Sequence, residues 1–143
     1  MKAALTILLL ALPFALISQG KATPENWSKH NTRQHEIKST GVMYEYMVLN
    51  NKINGKISKY HDNVLVEEGW AFENKEHSTW KSYTKEGKTK AEASYMRGKK
   101  HGTWKIWDDN GTLRYQYQYN KGKRTGNWKM FSETGELVQS RNY

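Results

Sequence analysis

The chain reads as all-β, a single antiparallel sheet built from consecutive β-hairpin repeats with a 24-residue period. Three observations predict this. First, Trp80-Lys81-Ser82-Tyr83, Trp104-Lys105-Ile106-Trp107 and Trp128-Lys129-Met130-Phe131 share the pattern Trp-Lys-x-aromatic at a step of 24 residues. Second, the glycines keep the same beat, at Gly87, Gly111 and Gly135, at Gly98 and Gly122, and at Gly102 and Gly126. Third, Leu113, Tyr115, Tyr117 and Tyr119 alternate with Arg114, Gln116 and Gln118, the period of a strand with one apolar face. A fixed period of this length marks a repeat array.

The segments follow in order. Residues 1–20 carry one basic residue, an apolar run interrupted by Pro13, and small residues at Ser18 and Gly20, with Ala22 just beyond. This is the outline of a cleaved signal peptide, shorter than the ~20 apolar residues that span a bilayer. Residues 21–40 are polar and aperiodic and read as a linker or arm. Residues 41–143 form the repeat domain. Within one repeat, Thr103 to Trp107 is a run of aromatic and β-branched residues suited to a strand. Asp108-Asp109-Asn110-Gly111 then turns the chain, and Asn-Gly is expected to take positive φ at both central positions of a tight hairpin. After the tyrosine strand, Asn120 to Gly126 turns it again. The preceding repeat places Thr89, Ala91, Ala93 and Tyr95 where the next has Leu113, Tyr115, Tyr117 and Tyr119, and small residues facing large ones would let adjacent layers fit together. Earlier units decay but remain visible, since Glu76 to Trp80 lies 24 residues before Lys100 to Trp104.

The chain has 143 residues and a net charge of +9, which favours anionic partners. The lysines nevertheless recur at fixed repeat positions and so also serve as the solvated face of a sheet. There is no cysteine, which removes disulfides, thiol chemistry and the strongest zinc signatures.

Gly98-Lys99-Lys100-His101-Gly102-Thr103-Trp104-Lys105-Ile106-Trp107, continuing through Asp108 to Leu113, resembles the variant MORN repeat. The resemblance covers Gly55 to Tyr143 well and Gly41 to Asn54 poorly, and Asn74 and Ser78 stand where the pattern has glycine. It implies an elongated, twisted antiparallel sheet that binds proteins or, in eukaryotic relatives, touches phospholipid. The chain is also similar to exported bacterial proteins labelled antitoxin-like, although a secreted protein is badly placed to neutralise a cytoplasmic toxin.

No constellation of catalytic groups emerges. His77 and His101 share one repeat phase but should lie about 10 Å apart, beyond the reach of one metal ion. His30 and His35 fall in the polar arm, and His61 stands alone. Glu67 and Glu68 are adjacent in a strand and point to opposite faces. Asp108-Asp109 is turn chemistry, and the Gly-Lys pairs belong to the repeat turns rather than a phosphate loop. The expectation is a protein with no catalysis, metal or cofactor.

The aromatic series is the candidate binding surface. Trp80, Trp104 and Trp128 should form one ladder facing the core. Tyr83, Trp107 and Phe131, three residues on, should form a second ladder on the opposite face, interleaved with Lys81, Lys105 and Lys129. A single-layer sheet cannot bury both faces, so a partner protein, a second copy or the N-terminal arm is expected to cover one. The expected function is an exported, non-catalytic scaffold for protein interaction, secreted or periplasmic. The alternative is a peripheral envelope binder of anionic lipid or glycan through the basic-aromatic face. Nucleic acid fits an exported protein least.

Overall fold

The computed structural model describes the backbone of residues 32–37 and the whole of residues 41–143. The expected signal peptide and most of the polar arm lie outside the described residues. Twelve strands form one open antiparallel sheet, and no helix occurs among the described residues. The strands are β1 (Thr32–Ile37), β2 (Val42–Leu49), β3 (Lys52–His61), β4 (Val64–Phe72), β5 (Lys75–Tyr83) and β6 (Thr89–Met96). They continue as β7 (Lys99–Lys100), β8 (Gly102–Trp107), β9 (Leu113–Asn120), β10 (Lys123–Arg124), β11 (Asn127–Phe131) and β12 (Leu137–Asn142). Each strand pairs with its neighbour in sequence, except that β7 and β8 both pair with β6, and β10 and β11 both pair with β9. The sheet begins earlier than the hydrophobic pattern indicates. Thr32–Ile37, within the polar arm, pairs with β2 in the plane of the sheet. That stretch extends the edge and covers neither face.

The two kinds of turn differ from the sequence expectation in an instructive way. The tight two-residue turns with positive φ at both positions are Asn50-Asn51, Asp62-Asn63, Glu73-Asn74, Arg97-Gly98 and Lys121-Gly122. These are the hairpin turns whose twist matches that of the flanking strands. Asp108 to Gly111, where Asn-Gly suggested such a turn, has positive φ at Gly111 alone. There the Gly111 N–H donates to the Asp108 carbonyl at 2.9 Å and the Asp108 N–H to the Thr112 carbonyl at 3.0 Å. The Asp108 carboxylate also accepts from the N–H groups of Asn110 and Thr112, at 3.1 and 2.9 Å. That side-chain cap holds Asn110 out of the left-handed region. Thr84 and Ser132, at the same phase, accept from the Lys88 and Glu136 N–H groups in the same way.

The Trp strands are not regular, and their irregularity builds the core. Between the Tyr95–Lys100 and Glu92–Lys105 pairs, residues 101–104 face only residues 93 and 94. The same bulge recurs where residues 125–128 face residues 117 and 118, and where residues 78–80 face Gly69. At two of the bulges the tryptophan adds a second donor to a carbonyl of the facing strand, since the Ser94 carbonyl also accepts from the His101 N–H at 2.9 Å and the Gln118 carbonyl from the Thr125 N–H at 3.0 Å. Nε1–H of Trp80, Trp104 and Trp128 donates to the carbonyls of Trp70, Ser94 and Gln118, at 2.9, 2.9 and 3.1 Å. Each indole therefore folds across the sheet onto its neighbouring strand. Gly69 makes room for one of them, because a Cβ there would stand 2.2 Å from the Trp80 ring.

The folded-over indoles alternate with tyrosines that share the period. Ring centroids are 5.0 Å apart for Tyr95 and Trp104, 5.5 Å for Trp104 and Tyr119, 5.3 Å for Tyr119 and Trp128, and 4.8 Å for Trp128 and Tyr143. Tilted aromatic pairs at these distances add about 0.5–1.5 kcal/mol beyond area burial. Lys100 lies over Trp104 and Tyr119, and Arg124 over Trp128 and Tyr143. Trp80 and Trp104 are each only 3% exposed, in contact with a core that includes Ile53, Ile57, Ala71, Ala93 and Tyr95. One face of the sheet is thus covered largely by its own side chains. The demand for a covering partner falls on the other face.

Two outcomes follow from this core. Trp104→Phe keeps an aromatic ring but removes the indole N–H, and should cost about 1–2 kcal/mol, whereas Trp104→Ala should cost about 3–5 kcal/mol. Urea denaturation followed by circular dichroism measures both, and a Trp104→Phe variant as stable as the wild type would show that the hydrogen bond contributes nothing. Ser78 has φ of 60°, at the phase where Gly102 and Gly126 also have positive φ. Ser78→Gly should therefore stabilise the first full repeat by about 1 kcal/mol, measured as a raised denaturation midpoint.

Candidate functional site

The second face is organised as a row of cross-strand neighbours. Ser58 pairs with Glu68, Glu68 with Lys81, Lys81 with Glu92, and Glu92 with Lys105. Lys105 then pairs with Gln116, Gln116 with Lys129, and Lys129 with Ser140. Strand alternation places Tyr83, Trp107 and Phe131, two residues beyond the lysines, on this same face. All six sequence-predicted residues therefore share one face, opposite the Trp80, Trp104 and Trp128 ladder. The three aromatic side chains are half-buried rather than fully exposed.

Within the row, the first repeat satisfies itself. Lys56 lies 2.7 Å from Glu68, and Lys81 lies 3.2 Å from Glu92. Tyr83 Oη–H donates to Glu68 Oε1 at 2.7 Å. The hydrogen bonds from Lys56 and Tyr83 hold the Glu68 carboxyl below the usual carboxylate range. Burial, together with the bond to Glu68, pushes the Tyr83 phenol up to about 12. Lys105 and Lys129 have no ion pair among the described residues. Arg114, from the strand between them, is already engaged. Its guanidinium donates to the Phe131 carbonyl at 3.1 Å and to Asp108 Oδ2 at 3.3 Å. A shallow polar groove of about 320 Å³ runs across the row, lined by Thr79, Glu92, Ser94, Thr103, Lys105 and Gln116.

The structure adds residues that the repeat signal passed over. Trp70 and Phe72 are 54% and 40% exposed. With Leu49, Asn54, Ala71 and His77 they line an apolar groove of about 510 Å³. Arg97 covers the Phe72 ring at 5.4 Å. Their signal was present but off the beat. At the phase of Trp70 the later repeats carry Ser94 and Gln118, so an aromatic side chain stands where the repeat is otherwise polar.

The histidines are placed by the turns. Nδ1 of His77 accepts from the Arg97 N–H, and Nδ1 of His101 from the Lys121 N–H, both at 3.4 Å. Each therefore ties its strand to the next repeat's turn. Glu67 and Glu68 lie on opposite faces, as alternation requires. Glu67 is on the core face, where register makes Lys59 and Ser82 its neighbours. Burial raises its carboxyl above the usual range, partly offset by Lys59. No group of three or more histidine or acidic residues capable of holding a metal ion occurs among the described residues.

An open sheet of hairpins with a filled aromatic face and a row of lysines and aromatics on the other defines a β-hairpin repeat protein. Residues 100–121 and 124–143 match the MORN repeat variant. These two segments span β7 to β12, the stretch where Trp, Lys, aromatic and glycine positions are all filled. No curated protein matches the chain. Among solved structures, the chain is similar to a mutant of S. aureus TarM in complex with Fondaparinux, alpha-GlcNAc-glycerol and UDP. There the identity is 17% and the TM-score 0.38, over 67% of this chain and 21% of that one. A second TarM crystal structure matches at 17% identity and a TM-score of 0.35, over 62% of this chain and 19% of that one. The chain thus spans about a fifth of the length of either structure. Likeness this distant assigns neither fold nor activity.

The raised Glu67 carboxyl has a pH consequence. A folded-state value above the unfolded one means that the folded protein holds the proton longer, so this group's contribution to stability falls as pH rises from the unfolded value of 4.5 toward the folded one. Glu67→Gln should match the wild type below that window and be more stable than it at neutral pH. Thermal melts across pH 4 to 8 measure the difference, and a variant less stable at pH 7 would contradict the assignment.

Proposed function

We propose that this protein is an exported, non-catalytic scaffold that binds another protein through the face carrying Lys81, Lys105, Lys129, Tyr83, Trp107 and Phe131. The observation that carries the reading is the asymmetry of the sheet. One face is closed by the Trp–Tyr ladder, while the other holds half-buried rings beside Lys105 and Lys129, which have no ion pair among the described residues. Half-buried aromatic side chains set among polar groups are the usual anchors of protein interfaces. MORN repeats are in general modules that bind proteins or membrane lipid, and the match of residues 100–143 to them supports a binding role. The apolar run at residues 1–20 supports export, with a secreted or periplasmic destination. The reading needs no metal or cofactor.

A second reading, an envelope binder of glycan or anionic lipid on the same face, is supported by the polar groove with its hydroxyl and amide lining. Salt separates the two, because attraction between surface charges weakens with ionic strength while a dry aromatic interface persists. Tagged protein should capture a specific protein from an envelope extract and retain it in 1 M salt. Trp107→Ala should lose that protein by at least about tenfold, the loss of one interface anchor. Release of lipid or glycan by salt, with no protein retained, would move the function to the second reading.

A further inference from the structure

The cross-strand row carries a periodic change that the repeat itself exposes. The lysine position is constant at Lys81, Lys105 and Lys129. The position between lysines, also at a step of 24 residues, runs Glu68, Glu92, Gln116 and Ser140. In register, Glu92 stands between Lys81 and Lys105 and pairs with Lys81 at 3.2 Å. Gln116 stands in the equivalent place between Lys105 and Lys129 and brings no charge. The aromatic ladder changes in step. Tyr83 uses its hydroxyl on Glu68, whereas Trp107 and Phe131 present rings alone.

We infer that Lys105, Gln116 and Lys129 form an open carboxylate site, which a glutamate or aspartate side chain of a protein partner fills while an adjacent apolar residue packs on Trp107 and Phe131. This rests on the reading of this face as the binding surface and names the chemistry of its partner. The template is internal. A carboxylate arriving over Gln116 would meet two ammonium groups, each one strand away, roughly 5 Å in either direction. That repeats the arrangement that Glu92 has between Lys81 and Lys105. The same geometry disfavours a membrane surface, which is recognised by clusters of about 4–8 basic residues. Here Glu68 and Glu92 interrupt the positive row, and Arg114 is held by Asp108.

The test titrates the full chain, labelled for NMR, with a capped peptide of alternating leucine and glutamate. The controls are its glutamine counterpart and vesicles of phosphatidylglycerol. The glutamate peptide should shift the resonances of Lys105, Trp107, Gln116 and Lys129, and the glutamine peptide should not. Gln116→Glu closes the row from within and should weaken binding about fivefold, the order of one exposed charge pair. Glu92→Gln opens a second gap and should extend the footprint to Lys81, a gain that no folding defect produces. Equal binding of both peptides, an unchanged affinity in Gln116→Glu, or binding of the vesicles alone would each overturn the site. Failure of the parent reading looks different. If Trp107→Ala abolishes capture of a protein partner while Gln116→Glu leaves it intact, the binding face stands and the carboxylate site falls.

Discussion

The hydrogen bond from a tryptophan indole to a backbone carbonyl ten residues earlier holds this sheet together. It occurs three times, once per repeat, at 2.9, 2.9 and 3.1 Å. Two of the acceptors are shared, since the Ser94 and Gln118 carbonyls also take the backbone N–H groups of His101 and Thr125, at 2.9 and 3.0 Å. The bulge at each Trp strand turns the indole back, so that its N–H reaches the carbonyl while the ring lies over the adjacent strand. Packing, register and covering of one face thus come from a single side chain. This is also why the sheet needs no second layer on that face. The indoles, the tyrosines between them and the basic side chains above replace one.

The spacing of 24 residues follows from that geometry. Each unit contains one bulged strand, one capped loop, one regular strand and one tight turn, and the tight turn stitches to the unit before it. The Gly98 and Gly122 N–H groups donate to the carbonyls of Glu76 and Lys100, both at 2.8 Å. Asn74 donates likewise to Ile53 at 3.0 Å. An inserted residue would move the indole off its carbonyl or the turn off its acceptor, so the step is held at both ends. The left-handed positions are fixed by the same path. Asn74 and Ser78 take φ of 64° and 60° although neither is glycine. The backbone route therefore dictates the conformation, and the residue type only sets its cost, which Asn bears better than Ser.

Most of the fold was legible because the repeat multiplies weak local signals. The Trp-Lys-x-aromatic pattern located the β5, β8 and β11 strands, and alternation placed Lys81 and Tyr83 opposite Trp80. What was not legible depends on contacts between repeats. No local pattern shows that Trp104 bends onto Ser94, or that the Asp108 carboxylate converts an Asn-Gly pair from a tight turn into a capped loop. Thr32–Ile37 lacks apolar alternation in the sequence, so its backbone pairing with β2 leaves no periodic signal to read. Trp70 and Phe72 escaped notice because periodic reading rewards what recurs. Trp70 matters for the opposite reason, as a departure from the polar phase that Ser94 and Gln118 keep in the later repeats.

The same logic of departure divides the second face. Where a carboxylate sits between lysines, the row is neutralised from within, and the Tyr83 hydroxyl completes it. Where Gln116 and Ser140 replace the carboxylate, the lysines stay and the aromatic rings lose their hydroxyl. Exposed ion pairs contribute little to stability, about 0–1 kcal/mol each, so giving up a pair costs the fold almost nothing. Unpaired charge beside an apolar ring changes what the surface can attract far more than it changes what holds the sheet together. A repeat array can in this way vary one position per unit and acquire a local site while its scaffold stays the same. The indole bonds on the opposite face are what make that variation tolerable, since they fix the strands independently of the charges they present.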